Sequence, residues 1–257
     1  MSAFTTMLAV TTVAGLATGL GALPTLLGAR VSHRVYDAAL GLAAGIMFAA
    51  SVFGLIIPGM ELGTLSQVMV GVFIGGFFLL VANRIIPHIH VRYSRWQGHG
   101  GVTEAIDDRL RRAVLIGSAI SLHNAPEGLA MGIAFAVGLE EVAFLLAIVI
   151  GLQNVPDGFA FAVPVSQAGV SKRNVLVYTT LSGVVPQVSA ALVGFALVGI
   201  AEGVFPVAAG FAAGAMMAVV FREMIPSSHG HGYADAATAA FLVGFALLVV
   251  VDEVLIF

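Results

Sequence analysis

The sequence predicts an all-α integral membrane protein of eight transmembrane helices, with both chain ends on the outer side. Three observations carry this. Of the 257 residues, 59% are hydrophobic and 10% charged, with a mean hydropathy of +1.03, against about 25% charged in an ordinary soluble domain. The apolar residues fall into runs of about 20 or more, the length that crosses a bilayer. The eleven Lys and Arg residues gather in alternate connections between those runs.

Taken in order, spans are predicted at about 4–29, 35–60, 66–87, 112–138, 141–165, 174–201, 204–225 and 237–254 by that length criterion. The first lacks a basic leading segment and is too long for a signal-peptide core, so it is expected to be a retained helix. The first, third and seventh spans carry Gly15/Gly19, Gly71/Gly75 and Gly210/Gly214. This small-xxx-small spacing lets helices approach closely in lipid. The fourth and fifth spans are joined by the short turn "GLEE" at 138–141. The longest connection, about 88–111, is polar and too short for a soluble domain of its own, so residues 1–257 form a single transmembrane domain.

The side of each connection follows from the basic residues. Arg30 and Arg34 lie between the first and second spans. Arg84, Arg92, Arg95, Arg109, Arg111 and Arg112 lie in or beside the connection from the third to the fourth. Lys172 and Arg173 lie between the fifth and sixth, and Arg222 closes the seventh. Lys and Arg mark cytoplasmic loops, so odd-numbered connections face the cytoplasm and both termini face outward. Such a chain belongs in a cell membrane. A net charge of −3 gives no reason to expect a nucleic-acid partner, and the absence of cysteine excludes disulfides and thiolate metal sites.

Two stretches break the apolar pattern: "HNAPEG" at 123–128 and "QNVPDG" at 153–158. Both share the form N-x-P-acid-G. Counting from the 138–141 turn at about 1.5 Å per residue, both lie roughly 17 Å below the outer face, near the midplane. Helices joined by a tight turn are antiparallel, so the motifs can face one another. His123, Asn124 and Glu127 share one helical face by their spacing of three and four, as do Gln153, Asn154 and Asp157. Pro126 and Pro156 each lack the amide hydrogen that would close a helical bond, which is tolerated at this depth where a helix lines a cavity or binds an ion. Carboxylates at the midplane cost several kcal/mol unless paired or bound, and no Lys or Arg of the predicted interior is available as a counter-ion. One imidazole, two carboxylates and up to three amides make a site for a divalent cation. Imidazole suits zinc, iron or nickel, and oxygen ligands also suit manganese.

HNAPEG in a fourth helix, followed by a second proline–acid motif in the fifth, resembles the ZIP (Zrt/Irt-like) family of divalent metal transporters. The resemblance extends to eight helices, outward termini and a histidine-bearing connection after the third helix. It implies a ZIP-like bundle with its metal site between helices 4 and 5, and carriage of Zn²⁺, with Fe²⁺, Mn²⁺ or Cd²⁺ as further candidates, toward the cytoplasm. The metal is then substrate, and no cofactor is expected. His123, Glu127, Gln153 and Asp157 are similar to the ligands of a primary site, and Asn124 and Asn154, with the shared carboxylates, to those of an adjacent one. The chain departs from the family where relatives carry His-Glu-x-Pro-Glu in helix 5 and a bridging glutamate in helix 6. Here helix 6 offers Gln187 in "SGVVPQ", which predicts one good site and a weak or absent second.

Further polar residues are candidates for the pathway or exit: Gln187, Glu223 beside Arg222, His88 and His90 in "PHIH", and His229 and His231 in "SHGH". His33 reads as an ordinary loop residue. The partners expected are a divalent metal ion and the lipid bilayer, with room for a homodimer. Two alternatives compete. An intramembrane metalloenzyme would need H-E-x-x-H and a general base, but Asn124 follows His123, so no enzyme is expected. A metal-sensing membrane protein without flux would carry the same site, though no output domain accompanies it.

Overall fold

A computed structural model describes residues 2–28, 31–96, 124–167, 169–197 and 203–255, with the backbone alone for 86–96 and 255. All regular structure among these residues is helical, and seven of the helices are long and apolar enough to cross a membrane. Helix α1 (Ala3–Leu20) begins behind Ser2, whose hydroxyl accepts the Thr5 amide and so satisfies one of the first-turn N–H groups. The predicted first span is interrupted. The chain turns at Gly21–Ala22 and resumes as α2 (Leu23–Leu26), with Pro24 in its first turn, where a missing N–H costs nothing.

Helix α3 (His33–Ala49), capped by Ser32, runs into a π-helical segment, Ala50–Ile56, and then α4 (Ile57–Glu61). A second π segment, Val220–Met224, joins α9 (Phe205–Val219) to α10 (Ile225–Ser228). Each ends two residues before a proline, Pro58 or Pro226. A proline ring clashes with the carbonyl four residues back and cannot bond it, and a widened turn relieves both problems. The second and seventh spans were expected as plain helices, so these wide turns are an addition.

Helix α5 (Leu65–Trp96) corrects one expectation. The third span was expected to end at 87 and a polar connection to start at 88, yet the backbone stays helical to Trp96. No glycine interrupts 88–96, and extending a running helix adds a hydrogen bond per residue without a new nucleation cost. His88 and His90 therefore lie on a helix, and the rest of the connection, 97–111, falls outside the described residues. Helix α6 is described over 124–136 of the expected 112–138. It turns at Gly138, whose φ of +81° is the left-handed region glycine favours, into α7 (Glu140–Gln167). The expected tight turn is present. Helices α8 (Lys172–Leu197) and α11 (Ala234–Leu255) complete the fold.

Packing sorts the long helices into two groups. In one, α5 lies on α9 and α11 on α3; in the other, α1 lies on α7 and α8, and α6 meets α8 at Gly128 and Gly132. The glycines make these seams. A Cβ on Gly75 would sit 1.9 Å from the Phe211 carbonyl oxygen, and one on Gly15 2.8 Å from the Val184 Cα. No side chain fits at such distances, so backbone meets backbone as the GxxxG spacing predicts. Between the groups, α3 packs on α7 through side chains, for example Leu146 near Gly54 of the first π segment. The outer faces are apolar: Phe73 and Phe77 of α5 and Leu242 and Val254 of α11 are each more than 60% exposed. Soluble monomers rarely show contiguous apolar surface on this scale, and lipid is the medium it fits.

Candidate metal centre

The two motifs meet as their spacing requires. Antiparallel α6 and α7 bring Glu127 against Gln153 and near Asp157, and these three, with Asn124 and Asn154, are buried. Gln153 Nε2 donates to Glu127 Oε1 and ties the two motifs directly. Asn124 Nδ2 donates to the Ser182 carbonyl at 3.1 Å, and Asn154 Nδ2 donates to the Ala14 carbonyl at 2.8 Å and to Gln187 Oε1 at 3.1 Å. Helices α1 and α8 thus wall the site. Helix α7 continues through Pro156 without a break in its assigned helix. His123 lies outside the described residues.

The hydrogen bonds use the amide nitrogens and leave oxygens over. Asn124 Oδ1, Glu127 Oε2, Gln153 Oε1 and Asn154 Oδ1 are buried without a hydrogen-bond donor. Leaving one such acceptor unpaired costs about 1–3 kcal/mol, and these four, one of them the carboxylate's own oxygen, give the two motifs an unmet demand for a donor or a cation. A cation would satisfy it, because oxygen lone pairs and a net negative charge are what a divalent ion takes in place of its water shell. Among the described residues no three His, Cys, Asp or Glu side chains form a ready-made cage, so amide oxygens must supply part of the coordination.

Of the remaining candidates whose side chains are described, one touches the site. Gln187, expected only as a pathway residue, touches the site through Asn154, and its own Nε2 is buried without an acceptor. Glu223, in the second π segment, accepts a hydrogen bond from Asn83 Nδ2, while Arg222 is exposed. His229 and His231 do not act together: His229 Nδ1 lies 2.9 Å from the Ile225 carbonyl, closing the end of α10, whereas His231 Nδ1 lies 2.8 Å from Asp37 Oδ1. Nothing is described of the side chains of His88 and His90. Sequence reading missed two parts of the site, the Ala14 carbonyl and the Ser182 carbonyl. Only the small faces of "AGLATG" (14–19) and "SG" (182–183) hint at a close approach. His33 is not a loop residue but the first residue of α3, and its ring stacks on that of His231 at 4.4 Å.

A multi-pass helical bundle with buried, unsatisfied oxygens on two proline-bearing motifs defines a membrane protein, and the chemistry of those oxygens suits a cation. Comparison with known proteins gives the family. Residues 96–252 match the family described as ZIP zinc transporter. Zinc transporter GufA of Myxococcus xanthus is 36% identical over 249 residues, 93% of this chain and 95% of that protein. Zinc transporter ZIPB of Bordetella bronchiseptica is 38% identical over 251 residues, 93% and 78% of the two chains. Zinc transporter ZupT of Corynebacterium glutamicum is 30% identical over 259 residues, 94% and 95%. The chain belongs to the ZIP family. It is a multi-pass protein of the cell membrane, its relatives are transporters and not enzymes, and divalent metal transport is the activity they support.

Proposed function

We propose that this chain carries a divalent transition metal toward the cytoplasm through the site between α6 and α7, with Zn²⁺ the first candidate and Fe²⁺, Mn²⁺ and Cd²⁺ next. The observation that carries this is the set of four buried acceptor oxygens without donors on the two motifs, from Asn124, Glu127, Gln153 and Asn154. Glu127 and Asp157 supply negative charge to a dehydrated cation, and His123, at the start of the same motif, supplies preference over Na⁺ and Mg²⁺. Neutral Gln153 and Asn154 in place of a further imidazole and acid weaken the cage and favour release. The topology proposed with it has eight helices, the described 124–136 belonging to the fourth, with both termini outside and the connection after Trp96 in the cytoplasm. Residues 1–257 act as one transporter domain, and a second copy is not required for the site.

Alternating access follows from the two helix groups. The whole site lies within the group of α1, α6, α7 and α8, so that group can move against the other without taking the site apart. Zn²⁺ entry into proteoliposomes, followed by a trapped dye, tests the reading. Saturable entry that Glu127→Ala abolishes is expected. Correctly folded protein that passes none of Zn²⁺, Fe²⁺, Mn²⁺ or Cd²⁺ would overturn it in favour of a sensor.

A further inference from the structure

We propose that His33, Asp37 and His231 form a second cation site at the end of the bundle where α3 begins. His33 and Asp37 are four residues apart on α3 and share a face, the spacing that also pairs Gln153 with Asp157. Asp37 is fully buried, and its Oδ1 lies 2.8 Å from Nδ1 of His231, in the turn after α10 and 194 positions away in sequence. With the proton on Nδ1 of His231, Asp37 Oδ1 accepts the hydrogen bond. That leaves Nε2 of His231 with its lone pair directed away from Asp37. Carboxylate-backed imidazole is the usual arrangement of a metal-ligating histidine, the carboxylate fixing the tautomer and raising the basicity of the opposite nitrogen. Asp37 Oδ2 is buried and has no hydrogen-bond partner, so a lone pair of this carboxyl behind His231 is left over.

The second ligand is His33. Its ring lies over that of His231 with 16° between the planes, and both residues are exposed, so an ion reaches them from water. Parallel rings do not aim two nitrogens at one point, in keeping with the absence of a ready-made cage among the described residues. Binding therefore requires the His33 ring to turn, a rotamer change that exposed side chains make within nanoseconds. The neighbouring cavity of about 230 Å³ is lined by Arg34 and Asp235 together, whose opposite charges offset one another. Two imidazoles with water completing the shell select Zn²⁺, Co²⁺, Ni²⁺ or Cu²⁺ over Ca²⁺ and Mg²⁺.

Tyr36 connects this site to the first. Its ring stands edge-on to His231 at 5.7 Å, and its hydroxyl donates at 3.3 Å to the carbonyl of Ala160, one turn beyond Asp157 on α7. Cation binding and the role can be separated: that the site receives ions leaving the midplane rests on the transport reading, whereas binding itself does not.

Zn²⁺ equilibrium dialysis of the full chain in detergent tests the proposal in a Glu127→Ala/Asp157→Ala background. If that background holds as many equivalents as the native chain, the midplane reading fails and this one is untouched. Adding His33→Ala/His231→Ala, two exposed positions, is expected to remove about one further equivalent. Asp37→Asn, which keeps both imidazoles, is expected to weaken that equivalent by about 10–100-fold, the usual effect of losing a carboxylate behind a ligating histidine. Unchanged equivalents in the double-histidine variant overturn the proposal. Unchanged affinity in a folded Asp37→Asn variant overturns it too, because diffuse binding by surface histidines would not sense the buried acid.

Discussion

Glu127→Gln separates the charge of the midplane site from its shape. The substitution is nearly isosteric, and its oxygen can still accept from Gln153 Nε2 as Glu127 Oε1 does. Its new NH₂ group falls where Glu127 Oε2 now stands, a buried position without a hydrogen-bond partner on motifs that also carry unsatisfied amide oxygens. Each hydrogen bond it makes there contributes about 0.5–1.5 kcal/mol, so the empty protein should be as stable as the native chain or slightly more so. The bound state suffers. Two unit charges 4 Å apart attract by about 4 kcal/mol at an effective dielectric of 20, and a divalent ion doubles this to roughly 8. Even with half recovered through the ion's retained hydration, about 4 kcal/mol remains, near a thousandfold in affinity. Zn²⁺ binding by calorimetry, uptake into proteoliposomes and a thermal melt followed by size exclusion read the three quantities. Uptake within threefold of native would refute Glu127 as a charge-bearing ligand. A melt lowered by more than about 5 °C would refute the hydrogen-bond complementarity assigned to the site.

Two further outcomes follow from the same packing and polar contacts. Gly75→Val places a branched side chain where even a Cβ meets the Phe211 carbonyl oxygen at 1.9 Å; overpacking of this kind costs about 1–3 kcal/mol or more, and a lower melt with loss of monodisperse protein should result. A native-like melt would mean that α5 and α9 do not meet as described. Gln187→Glu replaces a buried, unsatisfied donor next to Asn154 with an acid, so Zn²⁺ should be held more tightly and released more slowly; a lower KM with a lower kcat in flux assays is expected, and an unchanged pair of constants would remove Gln187 from the site.

Much of this architecture could be read from the sequence, for physical reasons that also mark where reading stops. Span positions were legible because lipid demands about 20 apolar residues and little else. The structure's Glu140–Gln167 and Lys172–Leu197 lie close to the expected 141–165 and 174–201. The meeting of Glu127 with Gln153 was legible because a tight turn at Gly138 makes neighbours antiparallel. The π segments were not, although Pro58 and Pro226 signalled trouble in each helix, because whether a helix kinks, breaks or widens at proline depends on what packs beside it. The Ala14 carbonyl was invisible for a different reason. Every residue has a carbonyl, so no side-chain motif marks the one that Asn154 will find. His33 and His231 escaped because only tertiary folding joins the start of α3 to the turn after α10.

The two π segments set the phase of the whole lower half of their helices. A wide turn is an α-helix with one residue to spare, and each α-helical residue advances the chain by about 100°. Regular α winding over Val220–Met224 with every residue kept would rotate everything below it by about that angle. Glu223 would swing off Asn83, and His231 would lose its place beside Asp37. The spare residue thus works as a timing mark, holding the lower polar groups in step with an upper helix whose glycine seam fixes its own rotation.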